Sequence, residues 1–472
     1  MQRAAEQNAQ GKGATETLVR FASGLEFDAI PEAARHAARR HALDTIGAIL
    51  AGSDQQATMA VVRTLTELNG AGSTPVPGLA DRFDPMSAAY IAGTAGHGLE
   101  LDDGHRGGSV HPGTVVVPAL LAAASTGAYD GRQWITATVV GYEIVCRLAA
   151  AMHPASRHKG FHNTPVMGVM GATAAVGSLI GLDEAQMGHA LGLAASSAGG
   201  IFAFLKGGGA VKRTHPGHAA REALQCAVAA KNGLTGPVDV LEIEGGFFDT
   251  FSEDVDESAV TEGLVGGDLM MARCYIKPYA ACRHIHPGID AVLEIIADEA
   301  VSPDAVERVE VGSYAIAAGH GAAKYDDMLS AQMSYPFALA TALERRAVDL
   351  NHFDDASRAD AAVLRHVPKI SVVAEDECEA NYPRLRTAKV SVTTRDGGVF
   401  SRTVEDPYGS ADNPLSDEAL AAKFRGLADP VLGAETAAAV ERAIWDMQNV
   451  ADVAALIERL AVQGPHASSS SA

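Results

Sequence analysis

The chain has 472 residues, 47 % hydrophobic and 20 % charged, a composition that excludes bulk disorder and a length that makes two domains the first expectation. Its formal net charge of −21 argues against tight nucleic-acid binding, which relies on clustered Lys and Arg, but says nothing of the sign inside a cleft.

Residues 1–14 and 463–472 have the small, polar composition of disordered ends. From Thr15 to about residue 265 the pattern is helical. EAARHAARRHALDTIGAILAG carries Ala34, Ala37, Ala38, Ile46, Ile49 and Leu50 at three- and four-residue spacing and ends on glycine. Alanine-rich segments recur at Thr114–Thr126, Gln133–Met152 and Met167–Ile180. GYEIVCRLAAAM and GVMGATAAVGSLIG are apolar almost all round, which predicts buried helices packed closely through small residues.

The character changes over residues 266–405. AVERVEVGSY and TAKVSVTTRDGGVFSRTVE alternate apolar and polar residues, and DGG between two such runs is a hairpin signal. Helical stretches such as GIDAVLEIIADEA lie among them. From 406 to 462 the sequence is helical again, with Ser416 and Asp417 offering N-cap chemistry. The expected fold is therefore mostly α: a discontinuous all-helical domain (15–265 and 406–462) with a smaller α+β domain (266–405) inserted before the C-terminal helices.

Cys146, Cys226, Cys274, Cys282 and Cys378 are scattered without a CxxC pair, so neither a disulfide framework nor a Cys-rich metal site is indicated. The polar N-terminus lacks a signal-peptide core, and no run reads as a bilayer span. A soluble, cytoplasmic protein is expected.

Chemistry-bearing residues gather in short glycine- or proline-bearing breaks between helices. LELDDGHRGGSVHPG holds Glu100, Asp102, Asp103, His105 and His111, and proline after His111 keeps that residue extended before a new helix begins. The bland alternative is a solvated surface turn. HPASRHKGFHNTPVMG holds His162; its HxxxH spacing has no carboxylate partner, so no metal is expected. KGGGAVKRTHPGHAAREAL places Lys206, Lys212, Arg213 and His215 beside glycines. It lacks the GxxxxGK[ST] form of a phosphate loop, and a cationic wall for a carboxylated substrate fits better. YIKPYAACRHIHPGIDA adds Lys277, Arg283 and His284, with a basic linker as the plain alternative. SAQMSYPFALATAL adds Tyr335, a residue type more often core than catalyst. Cations together with carboxylates and histidines point to proton chemistry on an anionic small molecule.

These residues carry a resemblance. HALDTIGAILAG, AGTAGHGLELDDGHRGGSVHPGTVVVPALLA, KGFHNTPVMGVMGATAA, KRTHPGHAAREAL, NGLTGPVDVLEIEGGF, KPYAACRHIHPGIDA, SAQMSYPFALATAL and YGSADNPLSDEALAAKF, in this order, resemble the MmgE/PrpD family. That family includes 2-methylcitrate dehydratase, cis-aconitate decarboxylase and iminodisuccinate epimerase. The resemblance implies a helical domain with an α+β lid, a homodimer, and a reaction with no cofactor or metal. It places an acidic pair on Asp102 and Asp103 with its following histidine at His111, a second histidine at His162, carboxylate-facing lysines at Lys212 and Lys277, and a lid tyrosine at Tyr335. Together with the reading of the residues, the expected catalytic set is Asp102, His111, His162, Lys212, Lys277 and Tyr335, with Asp103, His105, Arg213, His215 and His284 as substrate-binding residues. Gly104 stands where the family's DFDDT form has threonine, and Glu100 where it has aspartate.

The implied substrate is a small polycarboxylate, with no nucleic-acid or membrane partner. Removing a proton or carbon dioxide next to a carboxylate builds enolate-like charge, which calls for lysines on the carboxylates and a histidine pair for the proton. The leading expectation is a 2-methylcitrate dehydratase-like hydro-lyase acting in a cleft between the domains. The alternatives are an iminodisuccinate-type epimerase, a cis-aconitate-type decarboxylase and a non-catalytic binding protein that keeps the fold.

Overall fold

A computed structural model describes residues 13–204, 208–264, 269–322 and 324–462. The assigned ends 1–12 and 463–472, Lys206, and the expected boundary near 265–266 lie outside them.

The chain is mostly helical, and its described helices of eight residues or more are numbered in chain order. They are α1 (Ala14–Gly24), α2 (Glu32–Gly52), α3 (Gln56–Asn69), α4 (Pro85–Gly96), α5 (Gly113–Ala124), α6 (Gly131–Met152), α7 (Asn163–Leu179), α8 (Glu184–Ser197), α9 (Val211–Lys231), α10 (His286–Asp298), α11 (Tyr335–Arg345), α12 (Asp417–Leu432) and α13 (Ala434–Trp445). Two compact units divide the chain. The larger takes the chain up to Gly98, Asp102–Cys274 and everything from Asp417; the smaller takes Leu99–Leu101 and Tyr275–Ser416.

In the larger unit α4, α5, α6, α7 and α9 pack on one another as its centre. Small residues allow this. A Cβ on Gly93 of α4 would lie 2.7 Å from Gly217 Cα on α9, and one on Gly171 of α7 would lie 2.5 Å from the Gly141 carbonyl of α6. No side chain fits at either crossing, so backbone meets backbone. Helix α6 is long and apolar enough to suit a bilayer, but 94 % of that stretch is buried inside the unit, as a core helix should be. Its start is fixed by a capping box between Asp130 and Gln133, and Asp84 caps α4 through the Met86 and Ser87 amides.

The smaller unit holds a four-stranded sheet of order β2-β1-β3-β4, where β1 is Val306–Ser313, β2 Ile370–Ala374, β3 Ala388–Thr394 and β4 Val399–Val404. The β1–β2 pair is parallel and the other two are antiparallel. The DGG hairpin joins β3 to β4, pairing Thr393 with Val399. Strand β3 alternates between fully and partly buried residues along its length, the half-buried pattern read from its sequence. Helix α10 packs on β3, β4 and α11.

Candidate active site

In the larger unit the break between α4 and α5 brings carboxylates and imidazoles together. His97 caps the C-terminus of α4, and its Nδ1 lies 2.7 Å from Asp102 Oδ2. His111 approaches the same oxygen, with Nδ1 at 3.0 Å. Asp102 is 1 % exposed, so one carboxylate oxygen serves two imidazoles in a nearly dry setting. His111 Nδ1 is also 2.6 Å from the Asp103 carbonyl. A carbonyl only accepts, so the proton sits on Nδ1, leaving Nε2 of this part-exposed ring as the nitrogen that can take or give a proton. The His111 amide donates to Thr164 Oγ1 on α7, fixing the turn from which the ring projects.

Asp103 faces inward. Its carboxylate, fully buried, accepts from the Tyr142 hydroxyl at 2.7 Å and the Gly113 amide at 3.0 Å, with His41 Nδ1 2.9 Å away. It holds the N-terminus of α5 against α2 and α6. His105 likewise ties the loop: its backbone bridges to Val110 and its Nδ1 accepts the Gly108 amide.

Behind His111 lie two further buried rings. His162 precedes α7, and its ring centroid is 6.0 Å from that of His97 and 5.3 Å from that of His215 on α9. Its Nδ1 meets His215 Nδ1 at 3.0 Å, and Phe202 and Phe204 flank it. Burial pushes the His97 pKa down to about 4, although Asp102 pulls the other way. Burial, helped by His97, His215 and Lys212, holds His162 well below the usual imidazole range. Both rings are neutral at neutral pH. With its Nδ1–H donating to Asp102, His97 presents a bare Nε2, which is buried and has no hydrogen-bond partner. Lys212 and Arg213 are half-buried on the first turn of α9, a helix end that favours anions.

These depressed values set a pH dependence. His105 is also lowered by burial to about 4, from 6.5. The unfolded chain takes up these protons below pH 6.5 and the folded chain only near 4, so stability is full above 6.5 and is lost as pH falls towards 4. Thermal melts should show Tm falling across that window, with a shallower fall in a His97→Gln/His105→Gln double variant. Equal slopes for the two proteins would remove this account.

The smaller unit is organised around a different pair. Lys277 is 1 % exposed and its Nζ lies 3.3 Å from Glu100 Oε2. Glu100 has φ +54°, a left-handed conformation uncommon for a residue with a long side chain. Gln332 donates to the Leu99 carbonyl at 2.8 Å and holds this short segment in place. Arg283 clamps the loop after β4, donating to the carbonyls of Tyr408 and Pro407 and to Ser410 Oγ. His284 Nδ1 meets the Tyr314 hydroxyl at 2.7 Å. Tyr335 is fully buried, with its ring against Gly288 of α10. Cys282 Sγ is 3.7 Å from His320 Nε2; burial raises the thiol pKa, but His320 outweighs it and holds the value below the usual range.

Asp102, His111, His162, Lys212, Arg213 and His215 thus belong to the larger unit, and Lys277, His284 and Tyr335 to the smaller. His97 and the Glu100 partnership with Lys277 were not visible from sequence. The one signal for His97 was its place in GHGLELDD, directly ahead of the acids. Among the described residues no three of His, Cys, Asp and Glu are arranged to hold a metal ion.

Comparison with known proteins gives the same family twice. Residues 16–258 match the MmgE/PrpD N-terminal domain and residues 279–449 the C-terminal domain. The chain is 28 % identical to the cis-aconitate decarboxylase-like protein oryM of Aspergillus oryzae, over 88 % of this chain and 91 % of that protein. It is 27 % identical to a cis-aconitate decarboxylase of Aspergillus terreus (90 % and 91 % covered) and 26 % to the human one (88 % of each). With both domains matched in order along most of its length, the chain belongs to the MmgE/PrpD family.

Proposed function

We propose that this protein is a lyase acting on a small di- or tricarboxylic acid, with proton transfer at a carbon next to a carboxylate. The observation that carries the reading is the buried Asp102 oxygen shared by His97 and His111. It fixes His111 with Nε2 free to exchange a proton, and it stabilises the imidazolium formed when Nε2 is protonated. His162 is the second proton-transfer group. Lys212, at the start of α9, supplies positive charge for a substrate carboxylate, and we assign Lys277 the same duty on the resemblance of its stretch to the family.

Decarboxylation of a cis-aconitate-like acid is the first form of this reading, supported by relatives named for that reaction that align with about nine-tenths of the chain. The bond to one carboxyl group breaks, its electron pair stays on the substrate, and a histidine delivers a proton to carbon. The presence of two histidines favours a second form, hydro-lyase chemistry, because elimination of water needs both a base and an acid whereas decarboxylation needs a donor alone.

Proton and carbon NMR in deuterated water with citrate, 2-methylcitrate, cis-aconitate and iminodisuccinate tests the reading. Release of carbon dioxide with deuterium entering the product identifies a decarboxylase, and an alkene formed with loss of water identifies a hydro-lyase. Deuterium exchange without net conversion would instead identify an epimerase. Absence of turnover and exchange with all four acids overturns the proposal.

A further inference from the structure

His162 poses a chemical problem. Its ring is 4 % exposed and neutral, and a neutral imidazole is a very weak acid, because loss of its one proton leaves a buried anion. It can donate from Nε2 only if Nδ1 gains a proton in the same step. The one group within hydrogen-bond distance of His162 Nδ1, among the described residues, is His215 Nδ1 at 3.0 Å. Two nitrogens so placed share a single proton, so the two rings hold opposite tautomers.

His215 also lines a cavity of about 460 Å³ in the larger unit, together with Gly199, Gly200, His218, Arg221 and Glu222. Gly200 seats the pair: its carbonyl accepts the His162 amide at 3.0 Å, and its φ of +134° is a conformation that glycine alone adopts readily. A Cβ there would meet the Pro165 ring and come within 3.5 Å of His215 Nδ1.

We infer that His215 is a proton-feeding residue for His162, linking it to water in the 460 Å³ cavity through the Nδ1–Nδ1 contact. The inference rests on the reading of His162 as a proton donor. As His162 Nε2–H passes to the substrate carbon, His215 Nδ1–H moves to His162 Nδ1, and a cavity water gives a proton to His215 Nε2, which leaves hydroxide in the cavity. Neither ring becomes an anion. After product leaves, a water returns a proton to His162 Nε2 and its hydroxide passes to solvent, the shared proton moves back to His215, and His215 Nε2 gives its own to the cavity hydroxide, so that the net proton comes from water. The low proton affinity of His215, caused by burial and the neighbouring His218, suits a residue that passes a proton on.

The test is a pair of variants and a spectroscopic measurement on the full chain. His215→Asn keeps a donor of similar size but cannot relay, and its kcat should fall by about 10²-fold with KM nearly unchanged. His215→Ala should lose as much and regain activity when free imidazole is added, since the cavity admits it. A kcat within twofold of wild type in either variant, or a loss that imidazole does not restore in a protein of unchanged Tm, overturns the inference. Nitrogen-15 NMR of the histidines judges the contact whatever the substrate turns out to be. Opposite tautomers for His162 and His215 are expected, and two Nε2–H rings with no shared proton would refute the relay. A wild-type protein inert towards every acid would instead sink the lyase reading and leave the tautomer result standing.

Discussion

Replacing Asp102 by asparagine should lower kcat by about 10²- to 10⁴-fold while leaving KM within a few-fold and the melting temperature little changed. Asparagine fills the same space, and its oxygen still accepts from an imidazole, so the loop keeps its shape. It lacks the negative charge that stabilises an imidazolium at His111, 3.0 Å away. Steady-state kinetics on the substrate identified by NMR checks this, and activity within threefold of wild type would remove Asp102 from the mechanism. The neighbouring acid provides the contrast. Asp103→Asn disturbs contacts to Tyr142, the Gly113 amide and His41, so its effect belongs in the melting curve before it appears in kcat.

The second large effect is at Lys277. Lys277→Met removes the ammonium 3.3 Å from the buried Glu100 carboxylate, at an expected cost of about 3–5 kcal/mol of stability. Adding Glu100→Gln removes that charge and should restore most of the loss. Activity should not return in the double variant if the ammonium serves a substrate carboxylate. Denaturant melts and kinetics on the wild type, both single variants and the double variant separate the two contributions. Wild-type activity in the double variant would make Lys277 a structural counter-ion only.

Much of the architecture was legible because small and apolar residues announce themselves. Alanine and glycine all round α6 and α7 meant buried helices in close contact, and the Gly141 and Gly171 crossing is the form that contact takes. Alternation with DGG gave β3 and β4 together with their turn. Strand β2 was not read: it spans five residues, ISVVA, pairs on one side only at the edge of the sheet, and buries little beyond Ile370. The smaller unit takes Tyr275–Ser416 together with Leu99–Leu101, and neither that short segment nor those two ends carries a shift of composition, which in the sequence falls near 266 and 405.

At the candidate site, residue types marked the stretches that hold carboxylates, imidazoles and cations but not which way each side chain turns. Asp102 and Asp103 are adjacent and identical in type, yet one faces two imidazoles and the other braces a helix N-terminus. That difference is set by the path of an irregular loop, which leaves no spacing rule in the sequence. His97 escaped for a related reason. It stands one residue past a helix, and its link to Asp102 spans five positions of non-repetitive backbone.

The glycine-to-glycine seam between α4 and α9 has a consequence for how such a protein can diversify. His97 directly follows helix α4, and Lys212 and His215 lie in the first turns of α9. Because Gly93 and Gly217 touch through their backbones, the two helices are already as near as they can come, and any side chain at the seam would pry them apart. The separation of the imidazole of one from the cations of the other is thereby a fixed gauge. A protein with this seam cannot adjust to an acid of different length by sliding these helices. It must do so through the loop that follows, which holds Gly104, so random libraries aimed at a new substrate should yield there and fail at the seam.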